Sequence, residues 1–155
     1  MTVRLKIRPV TVNDYVQWKP LWDGYNEFYG RSGETALDDA ITQSTWTRFL
    51  DMNEPVHCLV AQSEGSLCGL AHFLYHRNTT LIEQSCYMQD LFTDKSARGK
   101  GVGRALIEAV SKHATENGSN AIYWHTHQTN HTAMKLYDKV ADATGFVMYK
   151  KSAEI

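Results

Sequence analysis

Residues 98–104 read Arg-Gly-Lys-Gly-Val-Gly-Arg, three glycines at alternate positions among three cations. Glycine lets a backbone take positive φ and come close to a ligand, while arginine and lysine bring charge to the same turn. The residues just before, Asp90 to Thr93, read as the end of a strand, and those from Val102 onward as an amphipathic helix. A helix N-terminus offers unpaired N–H groups and the positive end of the helix dipole. Strand, basic glycine turn and helix in that order therefore suit an anion, phosphate first. Two well-known phosphate loops do not fit. Lys100 is followed by Gly101, not by the Ser or Thr that a nucleoside-triphosphate loop uses on magnesium. Leu106 stands where a dinucleotide fingerprint begun at Gly101 would place its last glycine.

Other residues could carry chemistry beside that turn. Asn130, Ala133 and Tyr137 are three and four positions apart, which puts them on one face of a helix. Strand alternation places Asp90 on a face with Met88 and Phe92, so its carboxylate is either half-buried with a partner or aimed into a site. Glu27 sits on an aromatic helix, where it either fixes an amine or stays in solvent. His125 and His127 point to one strand face, with His131 nearby, but no carboxylate or cysteine close in sequence completes a ligand set, and no metal is expected.

The elements that position these residues alternate between helix and strand. A first strand spans residues 4–8. Thr11 and Asp14 have capping-box spacing ahead of a helix with the stripe Tyr15, Trp18, Leu21, Trp22, Tyr25, Phe28 and Tyr29, which Pro20 should bend or split. A second helix runs from about Leu37 to Leu50, opened by Thr35 and Asp38. Strands follow at 55–62 and 67–76 as a hairpin, then at 82–93, leading into the glycine turn. The next helix carries Val102, Ala105, Leu106, Ala109, Val110 and Ala114 on one face and stops near Asn117 and Gly118. A strand at 120–126, a helix at 129–141 and a strand at 145–151 complete the chain.

Composition bounds the functions available. A chain of 155 residues with 43% hydrophobic and 21% charged residues suits one globular domain, 1–155. No stretch has the length of a membrane span, and the N-terminus lacks a signal peptide's apolar core, so the cytoplasm is the expected location. Cys58, Cys68 and Cys86 lie in apolar strands without metal spacing and read as reduced core residues. A net charge of −1 gives no field to draw the molecule onto nucleic acid.

The glycine turn resembles the Q/R-x-x-G-x-G/A motif of the GCN5-related N-acetyltransferases. The order of elements, β-α-α-β-β-β-α-β-α-β, is similar to that family's α/β fold of the α+β type over nearly the whole chain. The resemblance implies a mixed, mostly antiparallel sheet with helices on both faces, and acetyl-coenzyme A as co-substrate without a metal. It implies that Arg98, Gly99, Lys100, Gly101, Val102, Gly103 and Arg104 wrap the pyrophosphate. Leu91, Phe92 and Thr93 would hold the pantetheine arm by backbone bonds. "TNHTAMKLYDKV" is similar to the family's second motif, in which Asn130 bonds the arm, Ala133 lets it pass and Tyr137 lies near the sulfur. One departure is plain: Lys139 is followed by Val140 to Thr144 before Gly145-Phe146, where the family commonly has Lys-x-Gly-Phe. Within the family, the chain is most similar to the small fungal histone, polyamine and D-amino-acid acetyltransferases and their bacterial relatives.

The activity so implied is direct transfer of acetyl to a primary amine of a polyamine, an amino acid or a lysine-bearing peptide. A lysine-like amine, with a pKa of about 10.4, must lose a proton to attack, and the departing thiolate gains one. Tyr137 is the expected acid. Asp90 and Glu27 are the candidate carboxylates, since Gln89, where some relatives carry Glu, cannot act as a base. The alternative is a non-catalytic acyl-coenzyme-A sensor that would not depend on Tyr137. A homodimer or larger homo-oligomer is common in similar proteins.

Overall fold

The computed structural model describes residues 4–153. Strands β1 (Leu5–Pro9), β2 (Val56–Ser63), β3 (Ser66–His76) and β4 (Ser85–Thr93) pair antiparallel in that order, and the short β5 (Ile122–Tyr123) joins β4 in parallel. The β2–β3 turn places Glu64 and Gly65 at φ 52° and 81°, the left-handed pair whose twist matches a hairpin. Helices α1 (Tyr15–Phe28) and α2 (Asp39–Leu50) cover one face of this sheet, and α3 (Val102–Glu116) covers the other. On the first face Trp18, Leu21, Trp22 and Trp46 pack with Val60 and Leu70. On the second, a Cβ at Gly69 would lie 3.0 Å from Val102 Cγ1 and 3.1 Å from Leu106 Cδ1, so glycine there is what lets α3 approach β3. The mixed α+β sheet with helices on both faces is the expected one. Contacts divide the chain into two compact units, one reaching His125 and one starting at Thr126. Helix α4 (His131–Val140) belongs to the second.

Local chemistry explains most element ends and corrects several expectations. Thr11 and Asp14 do form the capping box, on a short 3₁₀ turn that runs into α1. Pro20 does not split α1, which is continuous through it. An interior proline costs a helix about 3 kcal/mol. Burial of Trp18, Leu21 and Trp22 on either side, at about 1.5–3 kcal/mol for each large side chain, outweighs that cost. Asp38 alone caps α2, accepting from the Ala40 N–H, while Thr35 closes a separate turn with Ser32.

Strand β5 is far shorter than the expected 120–126 and pairs solely with Cys86 and Tyr87, so His125 and His127 lie beyond it. Its pairing stops just before a bulge in β4, where Asp90 faces His72 and Met88 faces Phe73, leaving Gln89 between them. A bulge twists and bends its strand. The expected strand at 145–151 carries no regular structure, and Phe146 and Tyr149 are 91% and 90% exposed. An alternating sequence becomes a strand only when a neighbour takes up its backbone groups. Cys58, Cys68 and Cys86 are free and buried, as expected. Among the described residues, no helix is long and apolar enough to cross a membrane.

Candidate active site

In the first unit, three features converge at the C-terminal end of β4. The first is an open edge. β3 pairs with β4 as far as Thr93, but β5 takes the opposite edge only at Cys86 and Tyr87, so it leaves that side of Leu91, Phe92 and Thr93 uncovered. The second is the glycine turn. Gly99 and Gly101 have φ of 77° and 80°, and a Cβ at either would meet nothing within 4 Å. Glycine is therefore required there by backbone conformation, not by protein packing. Gly103 lies inside the first turn of α3.

The third feature is the helix end itself. Gly101 is the N-cap and offers no side-chain acceptor, and the helix ladder opens with the Ala105 N–H donating to Gly101 O. The amides of Val102, Gly103 and Arg104 thus face outward at the positive end of a fifteen-residue helix. Arg98 lies over the Phe92 ring at 5.8 Å, and its Nε donates to Thr93 O at 3.2 Å, so it bridges turn and strand end. Arg104 is turned to Glu108 on the exposed helix surface. These residues fit a phosphate-bearing ligand whose arm runs along β4: outward amides, cations and a free strand edge lie in sequence along one path.

Behind the strand end lies a buried network that local sequence did not disclose. The bulge at Gln89 turns Asp90 and Phe92 to the α1 face but Met88 to the α3 face with Phe73, so Asp90 does not share a face with Met88 as strict alternation requires. Asp90 Oδ2 lies 2.8 Å from His72 Nδ1, and Trp18 Nε1 lies 3.1 Å from His72 Nε2. An indole nitrogen can only donate, so Nε2 must accept. His72 is therefore the neutral tautomer with its one N–H on Nδ1, donating to Asp90. Tyr25 lies within electrostatic reach of Asp90; burial first, then the Asp90 charge, pushes this phenol's pKa well up. Asp90 and His72 are buried. From Trp46 of α2, the rings of Trp18, Trp22, Tyr25 and Tyr29 follow one another along α1, from the core to the exposed helix end. Glu27 projects on the exposed side of α1 and makes no hydrogen bond or ion pair with this network. Gln89 is exposed at the bulge.

In the second unit, Asn130 caps α4, its Oδ1 accepting from the Ala133 N–H at 3.4 Å. Ala133, Met134, Leu136, Tyr137 and Val140 form the less exposed stripe of that helix. His127 Nδ1 lies 2.6 Å from Thr129 Oγ1. Among the described residues, no group of three or more His, Cys, Asp or Glu side chains is arranged to hold a metal.

The family model described as "Acetyltransferase (GNAT) family" matches residues 18–142, a span holding the strand end, the glycine turn and α4. The chain belongs to that family. It is an acetyl-coenzyme-A-dependent N-acetyltransferase. It is 36% identical to the D-amino-acid N-acetyltransferase of Saccharomyces cerevisiae, over 96% of this chain and 91% of that protein. It is 27% identical to an uncharacterized N-acetyltransferase of Bacillus subtilis, over 94% and 95% of the two chains. Among solved structures, the aminoglycoside acetyltransferase AAC(6')-Iy, in complex with a coenzyme-A bisubstrate analogue, superposes with a TM-score of 0.79. That match has 18% identity and covers 97% of this chain and 99% of the other, a likeness of fold. His72 of the acetyltransferase, and its bond to Trp18, were missed in the sequence because Trp18 and His72 are 54 positions apart. Only the bulge brings Asp90 to them.

Proposed function

We propose that this acetyltransferase moves acetyl from acetyl-coenzyme A directly to a primary amine within a ternary complex. The observation that carries the proposal is the open edge at the end of β4, which runs into positive-φ glycines and an uncapped α3 N-terminus. In this reading the amides from Gly99 to Arg104, with Arg98 and Lys100, take the pyrophosphate. The backbone of Leu91, Phe92 and Thr93 takes the pantetheine arm. Asn130 has its Oδ1 committed to the Ala133 N–H, and its NH₂ group serves the same arm. The small Ala133 leaves room for the arm.

Bound acetyl-coenzyme A supplies an acyl carbon activated by its thioester. A neutral amine forms the new C–N bond as the C–S bond breaks; the amine gives a proton to water, the departing sulfur takes one from the Tyr137 phenol, and the phenolate regains its proton from water. The Asp90 carboxylate, held by the neutral His72, lies beneath the site and favours the approach of a cationic amine. The exposed Phe146 to Tyr149 run supports a homodimer; a single-chain mass by light scattering would count against it.

The test is coenzyme-A release with acetyl-coenzyme A and a panel of polyamines, D- and L-amino acids and a lysine-rich peptide. Release that depends on one acceptor class and falls by about 10²-fold or more in Tyr137→Phe is the expected result. An unchanged rate in Tyr137→Phe would remove Tyr137 from the chemistry.

A further inference from the structure

The C-terminal end of α1 carries a charge arrangement that the transfer reaction itself does not require. The Arg31 backbone N–H donates to Asn26 O at 2.9 Å, and its Nε donates to Asn26 Oδ1 at 2.7 Å. Asn26 is buried and itself donates through Nδ2 to Trp22 O. The guanidinium is thereby fixed from below over two rings, 5.8 Å from the Tyr25 centroid and 5.3 Å from that of Tyr29. Nε is used; the two terminal nitrogens are not, and among the described residues no carboxylate lies within ion-pair distance of Arg31. A planar fork held this way presents paired donors suited to a carboxylate.

The opposite charge lies on the other side of the same tyrosine. Tyr25 has the guanidinium over its ring and the Asp90 carboxylate within electrostatic reach. Asp90 receives its hydrogen bond from a neutral His72, so the network sets no cation against its carboxylate. Tyr25 also meets Phe92 edge-on at 6.5 Å, which ties the pair of charges to the strand end that holds the acyl donor in the proposed reaction. A cation and an anion separated by one aromatic ring match a small zwitterion, with its carboxylate at Arg31 and its ammonium toward Tyr25 and Asp90. A polyamine, all cation, would meet Arg31 as a like charge.

We propose that Arg31 is the specificity-determining residue of this acetyltransferase, binding the carboxylate of a free α-amino acid and making amino acids, not polyamines, its acceptors. This rests on the acetyl-transfer reading of the same site.

The experiment compares amino acids, their carboxamides and spermidine as acceptors for the wild-type chain, Arg31→Gln and Arg31→Lys, with melting temperatures measured for each. Wild type should use amino acids at least tenfold better in kcat/KM than the matching carboxamides, and spermidine poorly. Arg31→Gln should raise KM for the amino acid at least tenfold with little change in kcat, leave the carboxamide unchanged and lessen the handicap of spermidine. Arg31→Lys should fall between them, keeping the charge without the fork. Equal losses on acid and carboxamide would show that Arg31 merely supports the helix end and would overturn the proposal. Efficient transfer to spermidine or a lysine peptide with none to amino acids would overturn it while leaving acetyl transfer intact. No transfer to any acceptor would overturn both readings.

Discussion

Adding one methyl group at Gly24 should separate two opposing effects and report on how the acyl donor is held. Gly24 lies inside α1, where alanine would ordinarily stabilise the helix by about 1 kcal/mol. Here a Cβ would stand 2.9 Å from Phe92 Cζ and 3.1 Å from Phe92 Cε2. Carbon atoms pack at about 3.5–4.0 Å, so the ring must retreat by roughly 0.5–1 Å. Crowding of this kind costs about 1–3 kcal/mol, leaving Gly24→Ala less stable by about 0–2 kcal/mol.

The functional effect should exceed the loss of stability. Phe92 lies beneath Arg98, which also bonds the Thr93 carbonyl, so a displaced ring shifts the strand end proposed to carry the pantetheine arm. Thermal unfolding and steady-state kinetics would show a modest fall in Tm with a several-fold rise in KM for acetyl-coenzyme A. Trimming the ring with Phe92→Leu should relieve the conflict and give a coupling of about 1 kcal/mol between the two sites. A Gly24→Ala protein about 1 kcal/mol more stable than wild type, with unchanged KM, would show that Phe92 does not crowd Gly24 or steer the strand end.

Two further outcomes follow from buried polar groups. Arg8 grips Asp14 through two hydrogen bonds of 2.7 and 2.9 Å and is the leading cause of the Asp14 carboxyl's low pKa of about 2. Because this pKa is depressed on folding, the linkage stabilises the fold by about 2 kcal/mol above pH ~4 and is lost as pH falls toward 2. Chemical denaturation across that range should show the loss in wild type, and Asp14→Asn should flatten it. Trp18→Phe removes the indole donor to His72 Nε2 and should destabilise the chain by about 1–3 kcal/mol. Nitrogen NMR of the His72 ring, showing the proton on Nδ1 in wild type, would verify the tautomer; a proton on Nε2 would refute it.

How far the fold was legible in the sequence varied with the range of the interactions. The glycine turn and α3 were readable because their signals are local: Gly99 and Gly101 take the φ that glycine permits, and Gly118 ends the helix as its type suggests. Thr35 misled because two turns close together competed for one hydroxyl. Asp90 was rightly singled out, but its face was assigned with Met88 because alternation cannot see a bulge. The network behind it depends on pairing between β3 and β4 and on α1 docking above them, both set by tertiary packing. Arg31 was overlooked because a single arginine past a helix end has no pattern; its meaning comes from Asn26, Tyr25 and Tyr29. Residues 145–151 have a strand's composition without a strand's partner.

The aromatic rings of the first unit have an optical consequence. From Trp46 to Trp18, Trp22, Tyr25 and Tyr29, successive centroids are 4.8, 5.7, 5.6 and 5.0 Å apart. At such spacings the electronic transitions of neighbouring indoles mix, giving near-ultraviolet circular dichroism an exciton pattern, and light absorbed by the tyrosines is delivered to tryptophan. The outermost ring lies beneath Arg31. A charge arriving there would perturb the collecting end of a built-in antenna, making the protein's own emission a gauge of acceptor arrival without any attached dye.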